Sequence, residues 1–127
     1  MRNLPALAKL RSRVAIIAEK GSVPGLDGRR IWVRSQHAAL NSLLQGAGAV
    51  VMKQALVLFD QALKRSRIQY QFLGNIHDEV QIATPEETTL QVGQLGVQCI
   101  RDAGVMLNLR CPLDGEYRIG DKWSMTH

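Results

Sequence analysis

Apolar positions recur at helical spacing near the start of the chain, at Leu4, Leu7, Leu10, Val14 and Ile17, with Arg and Lys between them. That spacing predicts an amphipathic helix, ended by Gly21 and Pro24. "PGLDGRR" is turn-rich, with Asp27-Gly28 as a hairpin signal, and "RRIWVRS" reads as a short strand. The longest helical pattern runs from about His37 to Arg65, through Leu40, Leu44, Ala47, Val51, Leu58 and Ala62. Two β-rich runs follow, "IQYQFLGNI" and "VQIAT". They predict a hairpin with His77-Asp78-Glu79 at or near its turn. Pro85-Glu86-Glu87 opens another helix, with proline and acids in its first turn. It carries Leu90, Val92, Leu95, Val97 and Ile100 and fades near Gly104. The tail "LRCPLDGEYRIGDKWSMTH" is expected to form one or two strands with turns. The order of helix, hairpin, long helix, hairpin, helix and strand implies an α+β domain.

Composition narrows the class. A chain of 127 residues with 46% apolar content suggests one domain and can bury a core. No unbroken apolar run exceeds five residues, the length of Ala55 to Phe59, so no membrane partner is expected. "MRNLPALAKLRSRV" has scattered charges and no cleavage site of small residues, so no signal peptide is read. Cys99 and Cys111 fit neither a metal-ligand spacing nor a disulfide framework, which implies a reducing, cytoplasmic setting.

The charge changes the picture more. Up to Arg67 there are twelve Lys/Arg against Glu19, Asp27 and Asp60, a net +9; the remainder is −4. A basic half joined to an acidic half suggests a polyanion partner beside a metal or catalytic site. The plain alternative is an unevenly charged, solvated surface.

Asp78 and Glu79 at a hairpin tip would stay near solvent while the strands anchor them. Carboxylates on rigid β-structure suit Mg²⁺, which takes one or two of them and leaves other positions for phosphate and water. Two-metal phosphoryl transfer uses such ligands with ions ~4 Å apart, and needs a further carboxylate from another strand. The competing reading is a polar turn. On the long helix, His37, Asn41 and Gln45 lie at i, i+4 and i+8, within about 80° of one face. Gly48 and Met52 continue that stripe. Gly46 and Gly48 in mid-helix each cost about 1 kcal/mol relative to Ala, which suggests close approach by another molecule. Asn and Gln can serve the acceptors of the DNA minor groove. A polar helix face with glycines for internal packing is the competing reading here.

"HDE" in a hairpin, preceded by "HAALNSLLQGAGAVVMK", closely resembles the C-terminal palm of family A DNA polymerases. The resemblance is strongest to the replicative polymerases of podovirus-type bacteriophages and more distant to bacterial DNA polymerase I. It runs from "GLDGRRIWVRS" to the last residue, and includes "CPLDGEY" and the closing pattern of Gly120, Trp123 and His127. It implies a palm-type antiparallel sheet whose catalytic hairpin packs on long helices. It further implies that Asp78 binds catalytic Mg²⁺, with Glu79 as its acidic neighbour in the metal site. His77 matches a contact to the primer's terminal region, and Asn41 and Gln45 match minor-groove contacts to primer–template DNA. His37 stands where bacterial DNA polymerase I has an arginine. Asn75 departs from the bacterial pattern and is assigned no role. The implied substrate is a dNTP and the reaction template-directed nucleotidyl transfer.

Two parts of the family pattern have no match. No second metal-binding aspartate stands in a pattern like D-x-S-x-x-E; Asp27, Asp60, Asp102, Asp114 and Asp121 lack that context. Nor is there a fingers motif to hold the nucleotide, since Lys9, Arg11 and Arg13 lack its aromatic and glycine partners. The resemblance therefore divides the chain into a fingers-derived helix, 1–24, and a C-terminal palm segment, 25–127. It implies a truncated or split gene, a prophage remnant or an artificially cut piece, completed by an upstream polymerase polypeptide. Two other readings stand beside it: a silent remnant that binds DNA, and a small metal-dependent nuclease using Asp78 and Glu79.

Overall fold

A computed structural model of the chain describes residues 4–126. The fold is α+β, with long helices and two small antiparallel sheets. It divides into two compact units, Met1–Val50 and Val51–His127.

In the first unit, α1 (Pro5–Ala18) begins with proline in its first turn, where a missing N–H costs nothing. Gly21, at φ +79°, turns the chain into β1 (Ser22–Pro24), which pairs antiparallel with β2 (Arg30–Trp32). Asp27 accepts the backbone N–H of Arg29 at 3.2 Å and closes the connection between them. The Ser35 hydroxyl then accepts the Ala38 N–H at 3.3 Å and caps α2 (Gln36–Arg65). Val14, Ala18, Val23 and Ala39 form this unit's core, with Ile31, Leu40 and Leu43 packed on it. Of the apolar stripe on α1, Val14 is covered, whereas Leu4, Leu7, Leu10 and Ile17 are exposed.

The second unit is built on the C-terminal half of α2. Phe59 and Leu63 meet Ile68, Val92 and Cys99 in its core. Arg67 takes a left-handed φ of +54°, and Ile68 N–H reaches back to the Leu63 carbonyl at 3.2 Å. This cap stops α2 and puts Ile68 beside Leu63. The chain continues into β3 (Gln71–Ile76) and β4 (Glu79–Ala83), the hairpin that the two β-rich runs predicted. Leu73 is an extra residue between the Phe72–Ile82 and Gly74–Gln81 pairs. Phe72 and Ile82 turn to the core, where the Phe59 and Phe72 rings meet edge to face at 6.0 Å. A one-turn 3₁₀ segment (Glu86–Thr88) leads into α3 (Thr89–Met106), ended by Asn108 at φ +53°.

The tail corrects the sequence expectation: residues 107–122 form no strand, and a short α4 (Trp123–Thr126) follows. The tail lies on α3 instead. A Cβ on Gly93 would collide with the Tyr117 ring, one on Gly104 would stand 2.9 Å from Leu113, and one on Gly115 2.8 Å from Ile100. Alternate tail residues thus pack against a helix, which reproduces strand-like alternation without ladder partners.

By length and composition α2 is also long and apolar enough to cross a membrane, with mean hydropathy 1.4 over an 18-residue window. Asn41, Gln45, Lys53 and Gln54 break its consecutive apolar runs without lowering that mean below the spanning range. In the second unit, Ala55, Phe59 and Leu63 of α2 are buried in the chain's own fold.

Leu63 has no exposed surface. Leu63→Ala should therefore lower unfolding free energy by about 2–5 kcal/mol, read as a shifted urea midpoint with unchanged slope. Asp60 supplies a pH dependence. Lys64 Nζ donates to its Oδ2 at 2.7 Å, and the Tyr70 hydroxyl donates to Oδ1. These bonds, that of Lys64 first, hold the Asp60 carboxyl below its ordinary value of 3.8. The folded state therefore gains stability above that value and loses it as pH falls through the lower, folded one. Tyr70→Phe should shrink this acid-side loss in thermal melts run as a pH series.

Candidate catalytic hairpin and nucleic-acid interface

The β3–β4 connection has two residues, His77 and Asp78, between the paired Ile76 and Glu79. His77 takes φ +57°, the positive first position of a II′-type turn that usually belongs to glycine. Holding a non-glycine residue there costs on the order of 1–3 kcal/mol, and such outliers cluster at functional sites. His77 and Asp78 are exposed; Glu79 is half-buried. The structure thus places His77, Asp78 and Glu79 at the hairpin tip, with both carboxylates at adjacent positions. The pairing puts Glu79 and Gln81 on one face with Ile76 and Gly74, and Val80 and Ile82 on the other. Since Ile82 faces the core, Glu79 and Gln81 lie on the outer face.

Sequence reasoning overlooked Gln81. Its side-chain N–H donates to Glu79 Oε1, and its Oε1 accepts from the Thr126 hydroxyl at 3.2 Å. The i, i+2 spacing of two polar residues on one strand was the available signal. Thr126 lies on α4, at the far end of the sequence.

Among the described residues no group of three or more His, Cys, Asp or Glu is arranged to hold a metal. Asp78 and Glu79 fit part of a Mg²⁺ shell, since this ion is often bound through one or two carboxylates with phosphates and waters completing it.

In the first unit, His37, Asn41 and Gln45 are all exposed on α2, as the stripe predicts. The two glycines of that helix separate. A Cβ on Gly46 would stand 2.8 Å from Ile31 Cδ1, so Gly46 serves packing between α2 and β2. Gly48 has nothing within 4 Å of that position and is exposed, so internal packing does not require it. Eight Lys/Arg fall in this unit against Glu19 and Asp27, and those described are exposed.

Residues 8–125 match the DNA polymerase family A profile. The chain belongs to DNA polymerase family A. It is similar to the DNA-directed DNA polymerase of Escherichia phage Phieco32, 34% identical over 97% of this chain and 21% of that protein. The corresponding enzyme of Enterobacteria phage T3 is 33% identical over 100% of this chain and 21% of its own length. DNA polymerase I of Aquifex aeolicus is 29% identical over 97% of this chain and 22% of its own. The chain thus spans about a fifth of these relatives. Among solved structures it is similar to the POL domain of Pol1 from M. smegmatis in complex with DNA primer-template and dNTP. That match has a TM-score of 0.69 and 26% identity, over 76% of this chain and 19% of the other. The Gly120–Trp123–His127 closing pattern ends on a residue outside the described ones.

Gly46 and Gly48 make opposite predictions. Gly48→Ala should stabilise the chain by up to about 1 kcal/mol, the ordinary helix gain. Gly46→Ala should destabilise it, because Ile31 must move. Denaturant melts of the two variants decide this.

Proposed function

We propose that this chain acts as the C-terminal palm segment of a family A DNA polymerase, in template-directed nucleotidyl transfer during DNA replication. The observation that carries the reading is the two-residue turn with Asp78 at its tip and Glu79 opening the next strand, in a chain that matches the family over residues 8–125. In this reading residues 1–24 derive from the fingers and 25–127 from the palm.

Asp78 and Glu79 would hold Mg²⁺. When bound, such ions activate a primer 3′-hydroxyl and steady the leaving pyrophosphate. The chain's own residues do the rest. His77, held at positive φ, contacts the primer's terminal region. Asn41 and Gln45 meet minor-groove acceptors of primer–template DNA, acceptors that every base pair presents. His37 extends that stripe. The exposed cations of the first unit neutralise phosphates.

The remaining metal ligand and the dNTP's cationic donors come from an upstream polymerase polypeptide. Two features support a partner of this kind: the exposed leucines of α1, and a β3–β4 sheet of two strands whose outer edges lack ladder partners among the described residues. The setting is the cytoplasm of a bacterial host. A second reading, DNA binding without turnover, draws on the basic first unit and the lack of a three-ligand cluster among the described residues.

Primer extension tests the proposal. The isolated chain should give no templated product, because two carboxylates approach the ions from one side. Mixed with a polypeptide carrying a second metal-binding aspartate and a fingers motif, it should extend a labelled primer. Asp78→Ala should abolish that extension and Glu79→Ala reduce it less. DNA affinity of the chain should fall steeply between low and moderate salt. Near-normal turnover by Asp78→Ala would overturn the assignment, and complementation that fails while salt-sensitive binding persists would favour the second reading.

A further inference from the structure

We infer that Gln81 is a positioning residue for Glu79, and that Thr126 of α4 holds Gln81 in place. The inference deepens the metal-binding role proposed for the hairpin tip and rests on it.

Glu79 and Gln81 stand two residues apart on β4, on the face turned away from the core. An ionised carboxylate can only accept hydrogen bonds, so the amide nitrogen of Gln81 must face it. The planar amide then directs its oxygen the other way, where the Thr126 hydroxyl stands at 3.2 Å. The one proton of that hydroxyl has a second acceptor, the Trp123 carbonyl, also at 3.2 Å. Thr126, Gln81 and Glu79 are each half-buried, which limits competition from water. Hydrogen bonds of this kind set the orientation of a metal-ligating carboxylate, and losing them weakens the metal even when the ligand remains. The tail that carries α4 is itself packed on α3 by Leu113 and Tyr117. Through Thr126, the end of the chain thereby reaches the side chain of Glu79.

The test uses the 127-residue chain, with Mn²⁺ as the metal probe. In NMR spectra the side-chain NH₂ pair of Gln81 should resonate away from the free-amide position. It should move toward that position in Glu79→Ala and in Thr126→Val, and stay near its original place in Thr126→Ser. In a Mn²⁺ titration, Gln81→Leu and Thr126→Val should weaken binding by roughly tenfold, with Thr126→Ser close to the parent and backbone spectra otherwise unchanged. Thr126→Val keeps the test usable if Gln81→Leu misfolds. A Gln81 amide signal indifferent to Glu79→Ala would overturn the inference, as would unaltered Mn²⁺ affinity in Thr126→Val. If the parent chain showed no Mn²⁺ binding that Asp78→Ala removes, the metal role of the turn would fail. The amide resonance alone would then decide whether Gln81 holds Glu79.

Discussion

The packing of Phe72 and Ile82 against Phe59 and Leu63 fixes where the carboxylate turn stands. An isolated two-stranded hairpin is marginal in water. Here one face of it is buried on α2 and α3, and that burial removes its freedom to slip in register. A one-residue slip would send Phe72 and Ile82 to solvent and Glu79 toward the core. The register is therefore as costly to change as the core itself, and His77, Asp78 and Glu79 inherit that rigidity. The extra residue at Leu73 sits at the base of the same hairpin and lets Phe72 keep its inward place while the tip follows its own pairing.

The tip also carries a cost. His77 stands where glycine would be at ease. A chain free of other demands would place Gly or Asn there. The imidazole stands there against backbone strain. Gly48 shows the converse. It forgoes the helix-favouring methyl of alanine at an exposed site with space around it. One position keeps a side chain where none is comfortable, and the other omits one where it would be welcome. Each departs from what folding alone would select, and departures of this type gather at functional surfaces.

Much was legible in the residues themselves, because it depends on local period and local chemistry. The 3.6-residue recurrence marked α1, α2 and α3, the Asp27-Gly28 turn signal marked the first hairpin and two β-rich runs the second, and the order of "HAALNSLLQGAGAVVMK" and "HDE" carried the family. A turn at or near His77-Asp78-Glu79 followed from two β-rich runs meeting at polar residues, and the pairing of Ile76 with Glu79 narrowed it to His77 and Asp78. The His37–Asn41–Gln45 stripe followed from helical geometry once the helix was placed.

What the tertiary structure decided is whatever depends on a neighbour distant in sequence. Periodicity says that alternate residues of the tail face one way, but not whether a strand or a helix lies there; α3 does, so no ladder forms. It cannot tell the two glycines of α2 apart, since only Ile31, fifteen positions before Gly46, distinguishes a packed glycine from an open one. Nor could it show that Thr126 meets Gln81 across 45 positions. Local patterns arise from backbone geometry, which each residue shares with its immediate neighbours. Contacts between distant residues arise from how whole elements bury their apolar faces, and only the folded chain brings those faces together.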